Sequence, residues 1–189
     1  LYKPKNVSSY DIIRRVKPHF KKFGKIGHFG TLDPFADGVL MLGVAGGQRC
    51  NEYIHECLPK TYLAVGKLGV ETVTGDLTVE PCQIDEGPYL QEVISKFDPK
   101  FIQETIQKKF LGEYMQAPPA YSAAKFQGKA LHEYAREGVI IKKEPKKRIV
   151  HKIEVVSYEF PYLTLRCEVS SGTYIRTLFS DCAKELGTL

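Results

Sequence analysis

Residues 27–40 read GHFGTLDPFADGVL, a stretch that combines closely spaced glycines, an Asp33–Pro34 pair and an apolar tail. Glycine allows the backbone to approach a ligand closely, and Pro34 favours an extended backbone at Asp33. A carboxylate presented on such a loop can act as a nucleophile, a general base or a metal ligand. The alternative is an ordinary Asp–Pro turn whose side chain caps nearby amides. Asp33 is therefore the first candidate for chemistry, and the rest of the chain decides between the two interpretations.

The composition is typical of a globular protein with a substantial core. The chain has 189 residues, of which 43% are hydrophobic and 26% charged, and its formal net charge is +5. This excess of positive charge is compatible with a polyanionic partner but does not establish one. The longest apolar run, residues 38–45, is too short to cross a bilayer, and no secretory leader opens the sequence. We therefore expect no membrane partner.

The cysteine and histidine patterns argue against a metal site or a disulfide framework. The five cysteines include no Cys-x-x-Cys pair, and His55–Glu56 and His132–Glu133 lack the second histidine of a helical zinc motif. The G-x-x-G-x-x-G spacing of Gly24, Gly27 and Gly30 is neither a dinucleotide fingerprint nor a Walker loop. We expect no metal, most cysteines buried as small apolar side chains, and a reducing, cytoplasmic location.

Apolar periodicity and helix-breaking residues predict helices and strands without regular βαβ units. Helices are predicted from Ser8 to Pro18, from Asp98–Pro99 to Gly112, from Lys129 to Glu137 and from Thr173 to Leu186. Strands are predicted over Val39–Val44, Thr61–Leu68, Ile149–Tyr158 and Leu163–Val169, and residues 27–34 are predicted to form a loop. This mixture favours an α+β domain with substantial antiparallel pairing.

Residues 27–40 also closely resemble the signature of the bacterial tRNA pseudouridine synthase B family. Further segments resemble the same family in the same order, from the first residues to the last: Lys3-Pro4 with Ser8-Ser9, Lys60-Thr61-Tyr62 with Leu68-Gly69, Thr72-x-Thr74-x-Asp76, Pro118-Pro119-x-Tyr121-Ser122-Ala123-x-Lys125, Gly128-Lys129, Tyr134-Ala135-Arg136-x-Gly138, and Gly172-Thr173-Tyr174-Ile175-Arg176. A chance match to all of these in order is not credible.

The resemblance implies a role for each candidate site residue. Asp33 matches the family's catalytic nucleophile. Tyr62 matches an active-site tyrosine, whose ring can stack on an extruded uracil and whose hydroxyl can take part in proton transfer. Arg176 matches an arginine that pairs with the nucleophile and keeps it ionised. His28 and Tyr174 match residues that contact the substrate nucleotide.

We thus predict catalytic roles for Asp33, Tyr62 and Arg176, and substrate-binding roles for His28, Tyr62 and Tyr174. Viewed without the family, Tyr62 would be interpreted as an ordinary strand tyrosine, and Arg176 as a solvated charge at a helix start. Tyr174 could simply be packed, and His28 could be exposed and idle. Lys3 is expected to act structurally or electrostatically, and residues 142–148 to contact phosphates or to form a solvated loop.

The implied activity is isomerisation of a T-loop uridine of tRNA, position 55, to pseudouridine, by base flipping and an aspartate nucleophile. No cofactor is implied, and the expected partner is the tRNA T stem-loop, bound by a monomer. Two hypotheses compete: a non-catalytic tRNA-binding or tRNA-folding module, and the archaeal and eukaryotic relative that works with guide RNA. The segment from Lys125 to Lys129 favours the bacterial enzyme.

The implied fold is the α+β pseudouridine synthase fold, a mixed, mostly antiparallel sheet flanked by helices and loops. We expect residues 1–189 to form the catalytic domain, truncated at both ends, with the family's C-terminal RNA-binding domain absent from this chain.

Overall fold

The computed structural model describes residues 1–50, 53–54 and 58–189. The chain divides into two compact units, Leu1–Pro59 and Lys60–Leu189. His55–Glu56 and Cys57 lie outside the described residues. No helix in the part of the chain that the structure describes is long and apolar enough to span a bilayer.

The first unit consists of one long helix and two small antiparallel strand pairs. Strand β1 pairs with β3, and β2 pairs with β4. Two 3₁₀ helices, Lys21–Phe23 and Ala45–Cys50, also belong to this unit. The elements are β1 (Tyr2–Lys3), α1 (Ser9–Phe20), β2 (Ile26–His28), β3 (Gly38–Val39) and β4 (Leu42–Val44).

Helix α1 begins as the sequence predicts. The Ser8 hydroxyl accepts the Asp11 N–H at 3.1 Å, and the Asp11 carboxylate accepts the Ser8 N–H at 3.0 Å, which is a reciprocal capping box. Pro18 does not end the helix, which continues to Phe20. Ile12 and Ile13 are buried on its inner side, in the same unit as the buried Phe29 and Leu40.

Two sequence-based expectations for this unit are wrong in part. Residues 27 and 28, predicted as the start of a loop, belong to strand β2, because Ile26–His28 pair with Leu42–Val44, which lie further along the chain. The predicted buried strand Val39–Val44 is instead two short strands with a break, and Val39 is 83% exposed whereas Leu40 is buried. The apolar run thus serves two different strand pairs.

The second unit is built on a four-stranded sheet in the order β5-β12-β11-β8. Two further pairs, β6 with β7 and β9 with β10, lie outside that sheet, and a 3₁₀ helix covers Ile94–Lys96. Strands are β5 (Lys60–Lys67), β6 (Val70–Glu71), β7 (Gln83–Ile84), β8 (Gly112–Gln116), β9 (Lys125–Phe126), β10 (Lys129–Ala130), β11 (Lys146–Glu159) and β12 (Tyr162–Val169). Helices are α2 (Pro88–Glu92), α3 (Pro99–Phe110), α4 (Leu131–Arg136) and α5 (Ile175–Glu185).

The register of the main sheet aligns three strands at the end where β5 begins. Lys60 of β5 faces Val169 of β12, which faces Val150 of β11. All strand pairs among the described residues are antiparallel, and β11 carries two register shifts, next to Val150 and Val155. The predicted α+β class with antiparallel pairing is confirmed.

The core of the second unit lies between this sheet and its helices. Inward residues of β12 alternate with outward ones, and α3 and α5 contribute the apolar stripes that the sequence predicts. The buried members include Ile102, Ile106 and Phe110 of α3 and Leu178 and Cys182 of α5. The ends differ from prediction: α5 begins at Ile175 rather than Thr173, and α4 at Leu131, because residues 125–130 form a hairpin.

Candidate active site

The predicted site residues are divided between the two units. His28 and Asp33 lie in Leu1–Pro59, and Tyr62, Tyr174 and Arg176 lie in Lys60–Leu189.

Asp33 opens a tight turn. The Ala36 N–H donates to the Asp33 carbonyl at 3.1 Å, and Pro34 fills the second position, where its fixed φ suits such a turn. Both neighbours of Asp33 are anchored. The Ser9 hydroxyl, on buried Ser9 of α1, donates to the Leu32 carbonyl and accepts the Leu32 N–H, each at 3.0 Å. The half-buried Asp33 carboxylate is therefore presented from a backbone with little freedom.

Lys3 anchors the other side of this turn. Its side chain is completely buried, and its ammonium donates to the carbonyls of Pro4 at 3.0 Å, Val7 at 2.8 Å and Pro34 at 3.3 Å. A lysine ammonium has three N–H donors, so each has an acceptor. Burial lowers the pKa of Lys3, an effect that the charges of Asp37 and Asp33 oppose. The expected structural and electrostatic role of Lys3 agrees with this arrangement.

The geometry of His28 defines its tautomer. Nδ1 lies 2.8 Å from the Gly30 carbonyl, which can only accept, so Nδ1 carries the proton. In the neutral imidazole, Nε2 is then left as a hydrogen-bond acceptor. The turn depends on Gly30, whose φ of +99° is unfavourable for other residues. His28 is thus held by its own loop, with one ring nitrogen in a defined state.

Arg176 lies in the first turn of α5, where the helix dipole disfavours a cation. Its guanidinium donates to the carbonyls of Thr74 and, at 2.9 Å, of Tyr121. These two carbonyls compensate the unfavourable position and fix the plane of the guanidinium. The loop of Thr74 is itself closed by the Thr72 hydroxyl, which donates to the Asp76 carbonyl at 2.7 Å. Arg176 is half-buried and is not a freely solvated charge.

Tyr62 lies on the face of β5 that α5 covers. A Cβ at Gly66 would lie 2.1 Å from Cε1 of Phe179, so the Phe179 ring fills the space that a side chain there would occupy. Residues two and four apart on a strand share a face. The Tyr62 side chain therefore lies on the face where Phe179 of α5 packs over Gly66. Tyr62 packs against the core but remains half-buried.

Tyr174 caps the N-terminus of α5, and its backbone is held by Gln116 of β8. The Gln116 carboxamide accepts the Tyr174 N–H at 2.7 Å and donates to the Tyr174 carbonyl at 3.0 Å. Gln116 is only 2% exposed. Sequence reasoning missed this residue. The signal was available: Gln116 is a polar residue in the inward phase of β8, whose other inward residue is buried Tyr114.

Replacing Gln116 tests whether its two hydrogen bonds to the Tyr174 backbone contribute to substrate binding. Gln116→Met keeps the volume but removes both hydrogen bonds, so Tyr174 loses its fixed position. For the substrate that the family resemblance implies, a T stem-loop RNA, we expect the KM to rise about tenfold to a hundredfold, the equivalent of about 1–3 kcal/mol of lost hydrogen bonding, with a smaller change in kcat. Steady-state kinetics of pseudouridine formation provide the measurement.

Gln103 offers a matched control for that variant. Its carboxamide also makes two backbone hydrogen bonds, to the Ile153 carbonyl at 2.9 Å and from the Val155 N–H at 2.5 Å. Gln103→Met should therefore lose comparable stability while leaving KM unchanged. An equal rise of KM in both variants would show that Gln116 acts only on stability.

The basic run of residues 142–148 does not form one patch. The Lys147 ammonium pairs with Glu113 at 2.5 Å, and the Lys143 ammonium donates to the Lys125 carbonyl at 2.7 Å. Arg148 lies against Gly172: a Cβ there would be 3.1–3.3 Å from its guanidinium atoms. Strand alternation separates Lys147 from Arg148, and Arg148 shares with Lys146 the face of the sheet that carries Tyr62.

The described cysteines divide evenly, so the expectation that most are buried is not met by them. Cys167 and Cys182 are buried and Cys50 and Cys82 exposed, all as free thiols. Burial raises the pKa of Cys167 to about 12, which makes its thiol unreactive. Among the described residues, no group of three or more His, Cys, Asp or Glu side chains is placed to hold a metal ion.

The chain matches the N-terminal domain of the TruB family pseudouridylate synthases over residues 17–175, and it belongs to that family. Similar proteins include the tRNA pseudouridine synthase B of Thermotoga maritima, 43% identical over 186 residues, which cover 98% of this chain and 57% of that protein. The tRNA pseudouridine synthase B of Caldicellulosiruptor saccharolyticus is 36% identical over 187 residues, covering 99% of this chain and 61% of that protein. The chain thus spans about three fifths of the length of these curated relatives.

Solved structures agree on the fold. A chain of a Cbf5-Nop10-Gar1 complex superposes with a TM-score of 0.66 at 25% identity, over 98% of this chain and 43% of that chain. A chain of an H/ACA RNP bound to a substrate RNA containing 2'-deoxyuridine gives a TM-score of 0.60 at 22% identity, over 98% of this chain and 41% of that chain. The predicted pseudouridine synthase fold is confirmed.

Proposed function

We propose that this chain carries the catalytic centre of an enzyme that isomerises uridine in tRNA to pseudouridine, with T-loop position 55 as its target. The observation that supports it most directly is the Asp33 turn. Ser9 and Lys3, both buried, fix the residues on either side of the carboxylate, which is what a positioned nucleophile requires. Relatives named tRNA pseudouridine synthase B, at 36–43% identity, supply the substrate. Such a substrate implies action in the cytoplasm.

The chemistry needs no external reagent, since substrate and product are isomers. The bond between the ribose C1′ and the uracil N1 breaks, the base rotates, and a bond forms between C1′ and C5. The proton on C5 is released and N1 acquires one, so atoms and charge balance. The Asp33 carboxylate acts as the nucleophile, on the sugar or on the pyrimidine ring, and covalent catalysis divides the exchange into easier steps. The family resemblance assigns to Arg176 the role of orienting and stabilising the nucleophile.

The target base is buried in a folded T arm, so it is extruded before reaction. Tyr62 stacks on the extruded base, and His28 and Tyr174 contact the same nucleotide. His28 contributes Nε2 as an acceptor, since its Nδ1 proton is used within the loop. Tyr62 is half-buried on a covered strand face, so the residue is not fully enclosed by the core.

The proposal is tested by the conversion of a synthetic T stem-loop RNA. We expect pseudouridine at position 55 and unmodified uridine elsewhere, read by base-resolved mass spectrometry. An RNA with cytidine at position 55 is the control for site specificity. Tight binding of the T stem-loop without any conversion would favour a tRNA-binding or tRNA-folding module and overturn the enzymatic proposal.

Variants of Tyr62 separate stacking from proton transfer. Tyr62→Leu removes the aromatic face, and we expect kcat/KM to fall about tenfold to a hundredfold, because one base–aromatic stack contributes about 1–3 kcal/mol. Tyr62→Phe retains the face, so near-normal activity assigns the residue to stacking and a severe loss assigns the hydroxyl to proton transfer. Single-turnover assays distinguish these results. Unimpaired Tyr62→Leu would make Tyr62 a core strand residue only.

A further inference from the structure

Two cations converge on one glycine turn at the end of the main sheet. This turn, Ser170–Thr173, joins β12 to the N-terminus of α5 and contains Gly172 with a φ of +77°. Lys60 reaches it from β5 and Arg148 from β11, the strands on either side of β12. The two cationic groups meet neighbouring residues of the turn, Ser171 and Gly172 respectively.

Lys60 is a half-buried cation. Its ammonium lies 3.3 Å from the Ser171 hydroxyl, and burial lowers the pKa of Lys60. None of the ion pairs found among the described residues involves Lys60 or Arg148. A partly desolvated ammonium without a carboxylate partner is costly to maintain, and an anionic ligand would compensate that cost.

The Arg148 guanidinium lies flat against Gly172. A Cβ at Gly172 would be 3.1 Å from Nη2, 3.2 Å from Cζ and 3.3 Å from Nη1 of Arg148. These three guanidinium atoms therefore lie at nearly the same distance from that position. A side chain at this position would displace the guanidinium. The neighbouring Lys147 points to the opposite face and is paired with Glu113, which shows that the Arg148 orientation is set by the strand and not by the run of charges.

The location of these cations relates them to the candidate site. Lys60 and Tyr62 share a face of β5 and are two residues, or about 7 Å, apart. Gly172 precedes Tyr174 by two residues. The cationic turn therefore adjoins both aromatic residues assigned to the flipped nucleotide, at a distance that suits a phosphate of the same or an adjacent nucleotide.

We propose that Lys60, Arg148 and the turn Ser170–Thr173 form a binding site for a phosphodiester of the substrate RNA, next to the extruded uridine. Lys60 contributes a point charge, and Arg148 contributes a planar fork suited to two phosphate oxygens. This proposal rests on the proposed function, which identifies the bound nucleic acid as tRNA. Lys60 and Arg148 lie outside the predicted catalytic set. In this proposal they hold the RNA backbone while the base is out of the stack.

The test is a salt series on binding of the T stem-loop RNA. Each cation that contacts a phosphate contributes about 0.7–0.9 to the slope of log Kd against log salt concentration. We expect Lys60→Gln and Arg148→Gln each to lower the slope by about that amount, and the double variant by about twice as much. Arg148→Lys should retain the slope. Lys147→Gln and Lys67→Gln, on the same two strands, serve as matched controls and should leave it unchanged.

A second measurement uses wild-type protein, so it does not depend on how the variants fold. One neutral methylphosphonate linkage replaces a phosphodiester at each position around the target uridine in turn. We expect one linkage to weaken wild-type binding about tenfold, because it removes a charge that a cation of the site contacts. Unchanged slopes in the variants, or no sensitive linkage in the wild type, overturn the site.

Failure of this site and failure of the proposed function are distinguishable. Conversion of the RNA with unchanged salt slopes would leave the enzyme proposal intact and remove the phosphate site. Lowered slopes and a sensitive linkage, without pseudouridine formation by the wild type, would support the phosphate site in an RNA-binding protein.

Discussion

Asp33→Asn should abolish pseudouridine formation while leaving RNA binding nearly unchanged. The substitution keeps the shape of the side chain and removes the charge that makes it nucleophilic. The Asp33 backbone is held by the anchored residues Leu32 and Pro34, so the turn should persist. We expect a loss of at least about a thousandfold in single-turnover rate, as for other catalytic nucleophiles, with a change in Kd of less than about threefold.

Asp37 supplies the matched control for this experiment. It belongs to the same loop, and its carboxylate accepts the Tyr2 hydroxyl at 2.5 Å, a hydrogen bond that lowers the pKa of Asp37. Asp37→Asn should retain most of the activity because the asparagine amide oxygen can still accept the Tyr2 hydroxyl. Residual conversion above about a tenth of the wild-type rate in Asp33→Asn would remove Asp33 from the nucleophilic role.

The parts of the fold that the sequence predicts well are those with local signals. The capping box of Ser8 and Asp11 and the Asp98–Pro99 start of α3 place two helices within a residue of their observed beginnings. Strands β5 and β12 also follow from local composition. Strand β2 does not, since Ile26–His28 becomes extended only by pairing with Leu42–Val44, a contact that glycine-rich local sequence does not indicate.

The same distinction applies to the candidate site. Resemblance to a family identifies Asp33, Tyr62 and Arg176, but not the contacts that position their neighbours. Gln116 acts on Tyr174 across 58 residues, and this pairing exists only in the folded sheet. The run of residues 142–148 suggests one basic patch because strand β11 was expected to begin at Ile149; it begins at Lys146, and alternation then separates Lys147 from Arg148.

Lys3→Met should cost about 3 kcal/mol of unfolding free energy, the largest stability effect we expect from one substitution in the first unit. Methionine fills a similar volume but donates no hydrogen bond. The part-buried hydrogen bonds to the carbonyls of Pro4, Val7 and Pro34 are then lost. Pro34 keeps the Asn6 N–H as a donor, whereas each acceptor left unsatisfied costs about 1–3 kcal/mol before relaxation. Urea unfolding followed by circular dichroism provides the measurement.

The loss should extend from stability to catalysis, because the Lys3 ammonium also anchors the residue that follows Asp33. At temperatures where Lys3→Met is still folded, we expect the single-turnover rate to fall at least about tenfold, since a nucleophile displaced by even 1 Å reacts far more slowly. Lys5→Met is the control: Lys5 is exposed and lies two residues away, so neither stability nor rate should change by more than experimental error. A loss of less than about 1 kcal/mol in Lys3→Met would mean that the three carbonyls find other donors. The Asp33 turn would then be held by Ser9 and by the Asn6 N–H, which donates to the Pro34 carbonyl at 2.8 Å, without help from a buried charge.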